Sequence, residues 1–303
     1  MTRAHTLLVI GKSGQLARSL SACSIYYPEL ELHFLGRPDF DIRDFASCRS
    51  AVKAICPDLI VNTAAFTDVD AAESHAAEAF DINTIGPGNL ARAATEASIP
   101  IIHISSDYVF DGKKTSAYVE TDPTRPQNTY GHSKLGGEKA VIEANPQHII
   151  LRTAWLYSPF SVNFVTKILN AAANSTMLSV VTDQIGNPTS ALDLANAILE
   201  LAPKILATGT FQSSGIYHLA GPSVMSRHEL AHLIFTTSAR LSGPVCEVGQ
   251  ALSRDYPTPA IRPLRTALNT SLYQENFGFN FPSPEASLAK TVSFLLRQRK
   301  GVQ

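Results

Sequence analysis

The chain has 303 residues, 45% of them hydrophobic and 17% charged, with a formal net charge of -1. That length allows one large domain or two closely merged ones around a sizeable core, and it excludes disorder as a description of the whole chain. The near-neutral balance leaves no basic face for nucleic acid or an anionic membrane, and no apolar run approaches the ~20 residues that span a bilayer. Cys23, Cys48, Cys56 and Cys246 form no C-x-x-C pair, so unpaired thiols in a reducing cytoplasm are expected. Met1 to Gly14 holds only the short apolar stretch Leu7–Ile10, which predicts no secretory signal.

The first predicted strand, Thr6–Ile10, runs into Gly11-Lys12-Ser13-Gly14 and a helix over Gln15–Ser21. Gly11 allows a tight turn and Gly14 a close backbone approach. A dinucleotide diphosphate would rest there on free N–H groups and the positive helix end. The spacing is G-x-x-G-x-x-A, one residue off G-x-G-x-x-G, with Ala17 where the helix packs on the sheet. The second strand, Leu30–Leu35, ends in Gly36-Arg37. A guanidinium there suits the 2′-phosphate of NADP, whereas an acidic residue would grip the ribose diol of NAD; a solvated arginine in a turn is the other reading. Asp41 and Ile42 are placed to meet an adenine edge and face, although a helix-capping role explains Asp41 equally. After a helix over Phe45–Ala54 comes the third strand, Leu59–Asn62, then Ala64, Ala65 and Thr67. Small residues at a strand's carboxyl end leave room for a ribose and diphosphate.

A helical stretch over Ala71–Ala97 leads to the fourth strand, Ile101–Ile104, and to Ser105-Ser106-Asp107. The next helix, Tyr130–Asn145, opens with Tyr130 and Lys134 four apart, which puts the ammonium beneath the phenol on one face. A nearby cation favours phenolate, and a tyrosine with a lowered pKa suits a carbonyl–alcohol interconversion. A hydroxyl at Ser106 would bond and align the same oxygen. The fifth strand, Ile149–Arg152, precedes Trp155, the only tryptophan, which reads as a sugar- or base-packing face or as a core residue beneath a second lobe. Beyond it, Pro159, Pro188, Pro222, Pro257, Pro259 and Pro263 punctuate shorter elements, among them strands at Ser179–Thr182 and Ile216–Leu219 and a helix at Ala191–Leu201. Strict strand–helix alternation predicts an α/β fold: a doubly wound, Rossmann-type parallel sheet with a smaller, loop-rich C-terminal α/β substrate lobe. Residues 1–155, with returning segments within about 183–218, form the expected NAD(P)-binding domain, and 156–182 with 219–303 the substrate lobe.

The stretches GKSGQLA, VNTAAFTDVDAAE, SSDYVFDG, YGHSKLGGEKA, LRTAWLY, NFV, DQIGNPTS and GIYHLAGP run from near residue 5 to beyond 220. In them the chain resembles the extended short-chain dehydrogenase/reductases, and within that group the dTDP-4-dehydrorhamnose reductase family. The resemblance implies that Tyr130 protonates a 4-keto oxygen while NADPH, or NADH, delivers hydride to C4 of a dTDP-linked 4-keto-6-deoxy sugar. It implies that Lys134 also holds the nicotinamide ribose, and that Gln15, Leu16, Ala64, Ala65 and Thr67 contact the cofactor. Ser106, Asp107, Trp155 and Asn163 are assigned to the substrate, Asp183–Thr189 to a turn between the lobes. Arg227, Arg262 and Arg265 are candidate cations for the substrate diphosphate. The chain departs from the family at Ala17 (usually Gly), Phe66 (usually Tyr or His) and Ser106 (usually Thr). Asp107 is followed by Tyr108, so the second carboxylate of a 4,6-dehydratase is missing, and Arg37 argues against the retained NAD of an epimerase. Two alternatives stand beside the reductase: an enzyme for another nucleotide-linked 4-keto-6-deoxy sugar, or a non-catalytic NADP-binding regulatory subunit similar to the beta subunit of methionine adenosyltransferase. No metal, nucleic acid or membrane partner is assigned, and the oligomeric state is left open.

Overall fold

The computed structural model describes residues 3–207 and 213–300. Met1 and Thr2, the start of the segment read as carrying no secretory signal, lie outside the described residues. The first half alternates as predicted: β1 (His5–Ile10), α1 (Gln15–Cys23), β2 (Leu30–Leu35), α2 (Phe45–Ile55) and β3 (Leu59–Asn62). The helical stretch predicted over 71–97 resolves into α3 (Val69–Ser74), α4 (Ala76–Phe80) and α5 (Gly86–Glu96), with a wide turn at Asp81–Ile85 between the last two. There the side chain of Asn83 leaves the helix surface to bond the backbone of Phe66 and the Ser133 hydroxyl. Then follow β4 (Ile101–Ser106), α6 (Thr129–Ala144), β5 (His148–Thr153) and β6 (Leu156–Tyr157). The second half contains α7 (Phe164–Ala171), β7 (Met177–Val181), β8 (Ile185–Gly186), β9 (Thr189–Ser190), α8 (Ala191–Leu206) and β10 (Gly215–His218). It ends with β11 (Met225–Ser226), α9 (Arg227–Arg240), β12 (Glu247–Ala251), α10 (Ser271–Phe277) and α11 (Pro284–Lys300).

Six strands pair in the order β10-β5-β4-β3-β1-β2, all parallel. Both faces are covered, which is why the central strands β1 and β3 are near-continuous apolar runs, whereas the edge strand β2 alternates. On one face α1 and α8 enclose Leu7, Val9, Ala17, Leu20 and Ile198; on the other α2, α5 and α6 enclose Leu8, Ile10, Val52, Leu90 and Val141. Ala17, where the family usually has Gly, is fully buried in this helix–sheet packing.

A third cluster lies outside the sheet: Val165, Ile168 and Leu169 of α7, Val180 of β7, Ile234 and Phe235 of α9, Val248 of β12, and Leu288 and Val292 of α11. β7 and β12 pair in parallel beneath these helices, which gives this cluster a small α/β layer of its own. β12 escapes sequence reading because Glu247–Ala251 buries a single side chain, Val248. Tyr273 and Phe277 of α10 return to the first core and pack against Tyr217 of β10. Among the described residues no helix is long and apolar enough to cross a membrane.

Candidate active site

The strand order reverses between β1 and β3, and at the carboxyl ends of these strands opens a cleft of about 530 Å³. Doubly wound sheets place their ligand sites at this point. The residues read from the sequence for cofactor, substrate or chemistry line the cleft except Asn163 and the candidate cations Arg262 and Arg265. Asn163 is committed to structure. Its Nδ2 donates to the carbonyls of Ser158 (2.7 Å) and Ser161 (2.8 Å), and its Oδ1 accepts Thr166 N–H to cap α7. No donor is left for a sugar hydroxyl.

At the cofactor end, Gly11 has φ of 107°, and a Cβ there would stand 2.8 Å from Thr63 Oγ1 and 2.9 Å from the Ala64 nitrogen. Only glycine makes this turn without displacing β3. Gly14 caps α1 without a side-chain hydrogen bond, so the leading N–H groups of α1 stay free for an anion. Gln15 Oε1 and Thr153 Oγ1 are buried in the cleft without hydrogen-bond partners. The glycine turn and these orphaned acceptors fit a dinucleotide cofactor with donors of its own. Ala64, Ala65 and Thr67 form the small-residue wall beside it. Arg37 is exposed at the mouth, with one Nη 3.7 Å from the Glu78 carboxylate. Asp41 caps no helix; Asp44 caps α2 through Ala46 N–H. Asp41 instead accepts Arg43 N–H and the Nε and Nη2 of its guanidinium, which holds its carboxyl below the usual range. Ile42 is buried, with Gly86 packed directly beneath it.

Tyr130 stands in the first turn of α6, which Asn128 caps by accepting Gly131 N–H at 2.8 Å. A Cβ at Gly131 would fall 2.3 Å from the Tyr108 carbonyl oxygen. Glycine therefore lets α6 pass against the turn after β4 and brings the Tyr108 ring edge-on to Tyr130 at 5.6 Å. Ser106 Oγ donates to Asp107 Oδ1 (3.0 Å) and accepts Tyr108 N–H (3.1 Å), while Thr266 Oγ1 donates to Asp107 Oδ2 (2.5 Å). Burial pushes the Asp107 carboxyl up to about 6 against those two hydrogen bonds and the field of Arg227. Lys134 is buried and donates to the Ile104 carbonyl at 2.7 Å. Desolvation brings its ammonium down to about 8, with the Glu138 charge opposing. The Tyr130 phenol, expected to be acidified by Lys134, is shifted the other way. Burial raises it, the Ser106 hydroxyl opposes, and the charges of Asp107 and Tyr108 raise it further. Desolvation, the largest cause, outweighs the Ser106 hydrogen bond and favours the protonated phenol.

Sequence reading missed the support beneath this centre. Glu138, one turn beyond Lys134, accepts two hydrogen bonds from Arg152 and one from Ser105; its spacing from Lys134 was the available signal. Of the three candidate cations, Arg227 alone lines the cleft, its guanidinium 3.6 Å over the Trp155 ring. Arg262 is held by both oxygens of Asp70 (3.0 and 2.6 Å), and Arg265 is exposed. Trp155 lines the cleft and also packs against the cluster of α7, α9 and α11. Asn187, in the expected inter-lobe turn, bonds the Gly221 carbonyl and Leu268 N–H, both at 2.8 Å.

The profile of the RmlD substrate binding domain matches residues 5–296. A dTDP-4-dehydrorhamnose reductase of Sinorhizobium fredii is 42% identical over 294 residues, covering 97% of this chain and 99% of that protein. The crystal structure of a dTDP-4-dehydrorhamnose reductase from Clostridium acetobutylicum superposes with a TM-score of 0.88 at 33% identity, covering 96% of this chain and 99% of that one. That of the Bacillus anthracis dTDP-4-dehydrorhamnose reductase in complex with NADP gives a TM-score of 0.86 at 30% identity, covering 95% and 98%.

Proposed function

The chain belongs to the RmlD substrate-binding-domain family, and from that membership we infer that it reduces the C4 keto group of dTDP-4-dehydro-L-rhamnose to dTDP-L-rhamnose with NADPH. The observation that carries the reading into this chain is one of place. Tyr130, Ser106 and Lys134 meet in the same cleft as the Gly11–Gln15 turn, so a carbonyl held at the phenol lies within the reach of a dinucleotide on that turn.

Bound NADPH supplies the hydride to C4. Tyr130, kept protonated by its buried setting, gives its proton to the carbonyl oxygen as negative charge develops there, which turns the ketone into the secondary alcohol. Ser106 sits beside the same oxygen, and its bond to Asp107 fixes the hydroxyl rotamer that serine, lacking the threonine methyl, leaves free. The Lys134 ammonium, fixed by the Ile104 carbonyl, stabilises the phenolate left behind and is placed to hold the cofactor ribose. Gln15, Leu16, Ala64, Ala65 and Thr67 hold the dinucleotide, with Arg37, Asp41 and Ile42 at its adenosine end. Residues 1–155 with β10 make the cofactor half, and the α7–α9–α11 layer closes over the sugar nucleotide.

The test is to mix the protein with NADPH and dTDP-4-dehydro-L-rhamnose, following absorbance and identifying the product. Loss of NADPH with formation of dTDP-L-rhamnose is expected. Binding of NADPH without oxidation would overturn the reading and favour a regulatory subunit.

A further inference from the structure

Arg227 opens α9 with its guanidinium in the cleft, stacked 3.6 Å over Trp155 and 5.0 Å from the Phe164 ring centre. Among the described residues none accepts a hydrogen bond from that guanidinium or pairs with it. The carboxylates nearest in the fold are spoken for. Glu229 turns back to Ser226 N–H and Oγ in a capping box, and Asp107 accepts Ser106 and Thr266. A second cation, Arg262, stands close enough to repel it, yet Arg262 is neutralised by its two-point bond to Asp70. A guanidinium in the cleft with five donors and no protein acceptor is open to an anion that a ligand supplies.

We propose that Arg227, held flat by Trp155, binds the β-phosphate of the nucleotide-sugar substrate, the phosphate bonded to the sugar itself. The proposal rests on the reductase reading and adds a specificity-determining contact to it. Position selects the β-phosphate. The keto carbon belongs at Tyr130 and Ser106, and C1 with its phosphate lies across the pyranose ring from C4. Arg227 acts on Asp107, the residue after Ser106, and on Tyr108, whose ring packs on Tyr130. All of these residues line the same cleft, so its charge lies toward the end where the sugar reacts. The cofactor's own phosphates are provided for by the uncapped α1 terminus.

The experiment is calorimetric titration of dTDP and of dTMP, which lacks the β-phosphate, into the NADPH-loaded protein and its Arg227→Met and Arg227→Lys variants. Arg227→Met is expected to weaken dTDP about tenfold or more and to leave dTMP within about twofold. Lysine, a cation without the planar fork, should fall between. Unchanged NADPH affinity shows that a variant is folded; should the methionine variant fail that check, the lysine variant is read by the same contrast. Unchanged dTDP affinity, or equal losses for dTDP and dTMP, overturns the assignment of Arg227 while leaving the reductase reading intact. Failure of the unaltered protein to bind dTDP while it binds NADPH overturns both.

Discussion

Glu138 and Arg152 form an ion pair sealed beneath Lys134, with Arg152 Nε and Nη2 2.8 and 2.7 Å from the two carboxylate oxygens and both side chains at most 3% exposed. It joins α6 to β5, and Ser105 Oγ ties it to β4 at 2.6 Å, directly opposite Arg152 in the sheet register. Removing one partner strands a buried charge. Glu138→Ala is expected to lower unfolding stability by about 3–5 kcal/mol in urea titration, and the double change Glu138→Leu/Arg152→Met to recover most of that loss. A cost near zero for the single variant would show that water reaches the site.

The Gly11 turn makes a second prediction. Its φ of 107° and the 2.8 Å approach to Thr63 Oγ1 leave no room for a methyl group. Gly11→Ala should cost about 1–3 kcal/mol of stability and weaken NADPH in fluorescence titration, since the strain falls on the loop that holds it. A variant of wild-type stability would mean that the turn relaxes freely.

Asp107 gives a pH signature. Its carboxyl is raised in the fold to about 6 from an ordinary 3.8. The folded chain therefore binds more protons than the unfolded chain between those values, and stability falls as pH rises through them, with no further change above. Asp107→Asn cannot ionise. Wild-type stability measured against that variant should drop by about 2 kcal/mol between about pH 4.5 and about pH 7 in denaturant titrations. A constant difference would place the carboxyl at its ordinary value.

Arg37 is the residue proposed to read the 2′-phosphate. Its loose contact with Glu78 is easily given up for a phosphate. Arg37→Ala is expected to weaken NADPH about tenfold and NADH little. Equal losses would show that Arg37 does not read the 2′-phosphate.

The half of the site built from local spacing was legible in the sequence. The glycine turn follows its strand within five residues, and Tyr130 and Lys134 are four apart on one helix. Contacts closed over long separations were not. Arg262 meets Asp70 across 192 positions and Thr266 meets Asp107 across 159, so no local pattern tells a paired arginine from Arg227. Asn163 failed for a related reason: an asparagine before an apolar helix is as good a cap as a sugar ligand, and here it caps. The sign of the Tyr130 shift was missed because desolvation, its largest cause, is a property of the folded cleft. The pairing of β7 with β12 was not legible because the strands are short and lie almost seventy residues apart.

The most direct test of the account is the turnover of Tyr130→Phe with NADPH and dTDP-4-dehydro-L-rhamnose beside the unaltered protein. The account predicts a kcat lower by about 10²–10⁴-fold, with NADPH affinity within about twofold, because the variant loses only the proton donor. A phenylalanine variant that turns over at the wild-type rate would contradict it and remove Tyr130 from the chemistry.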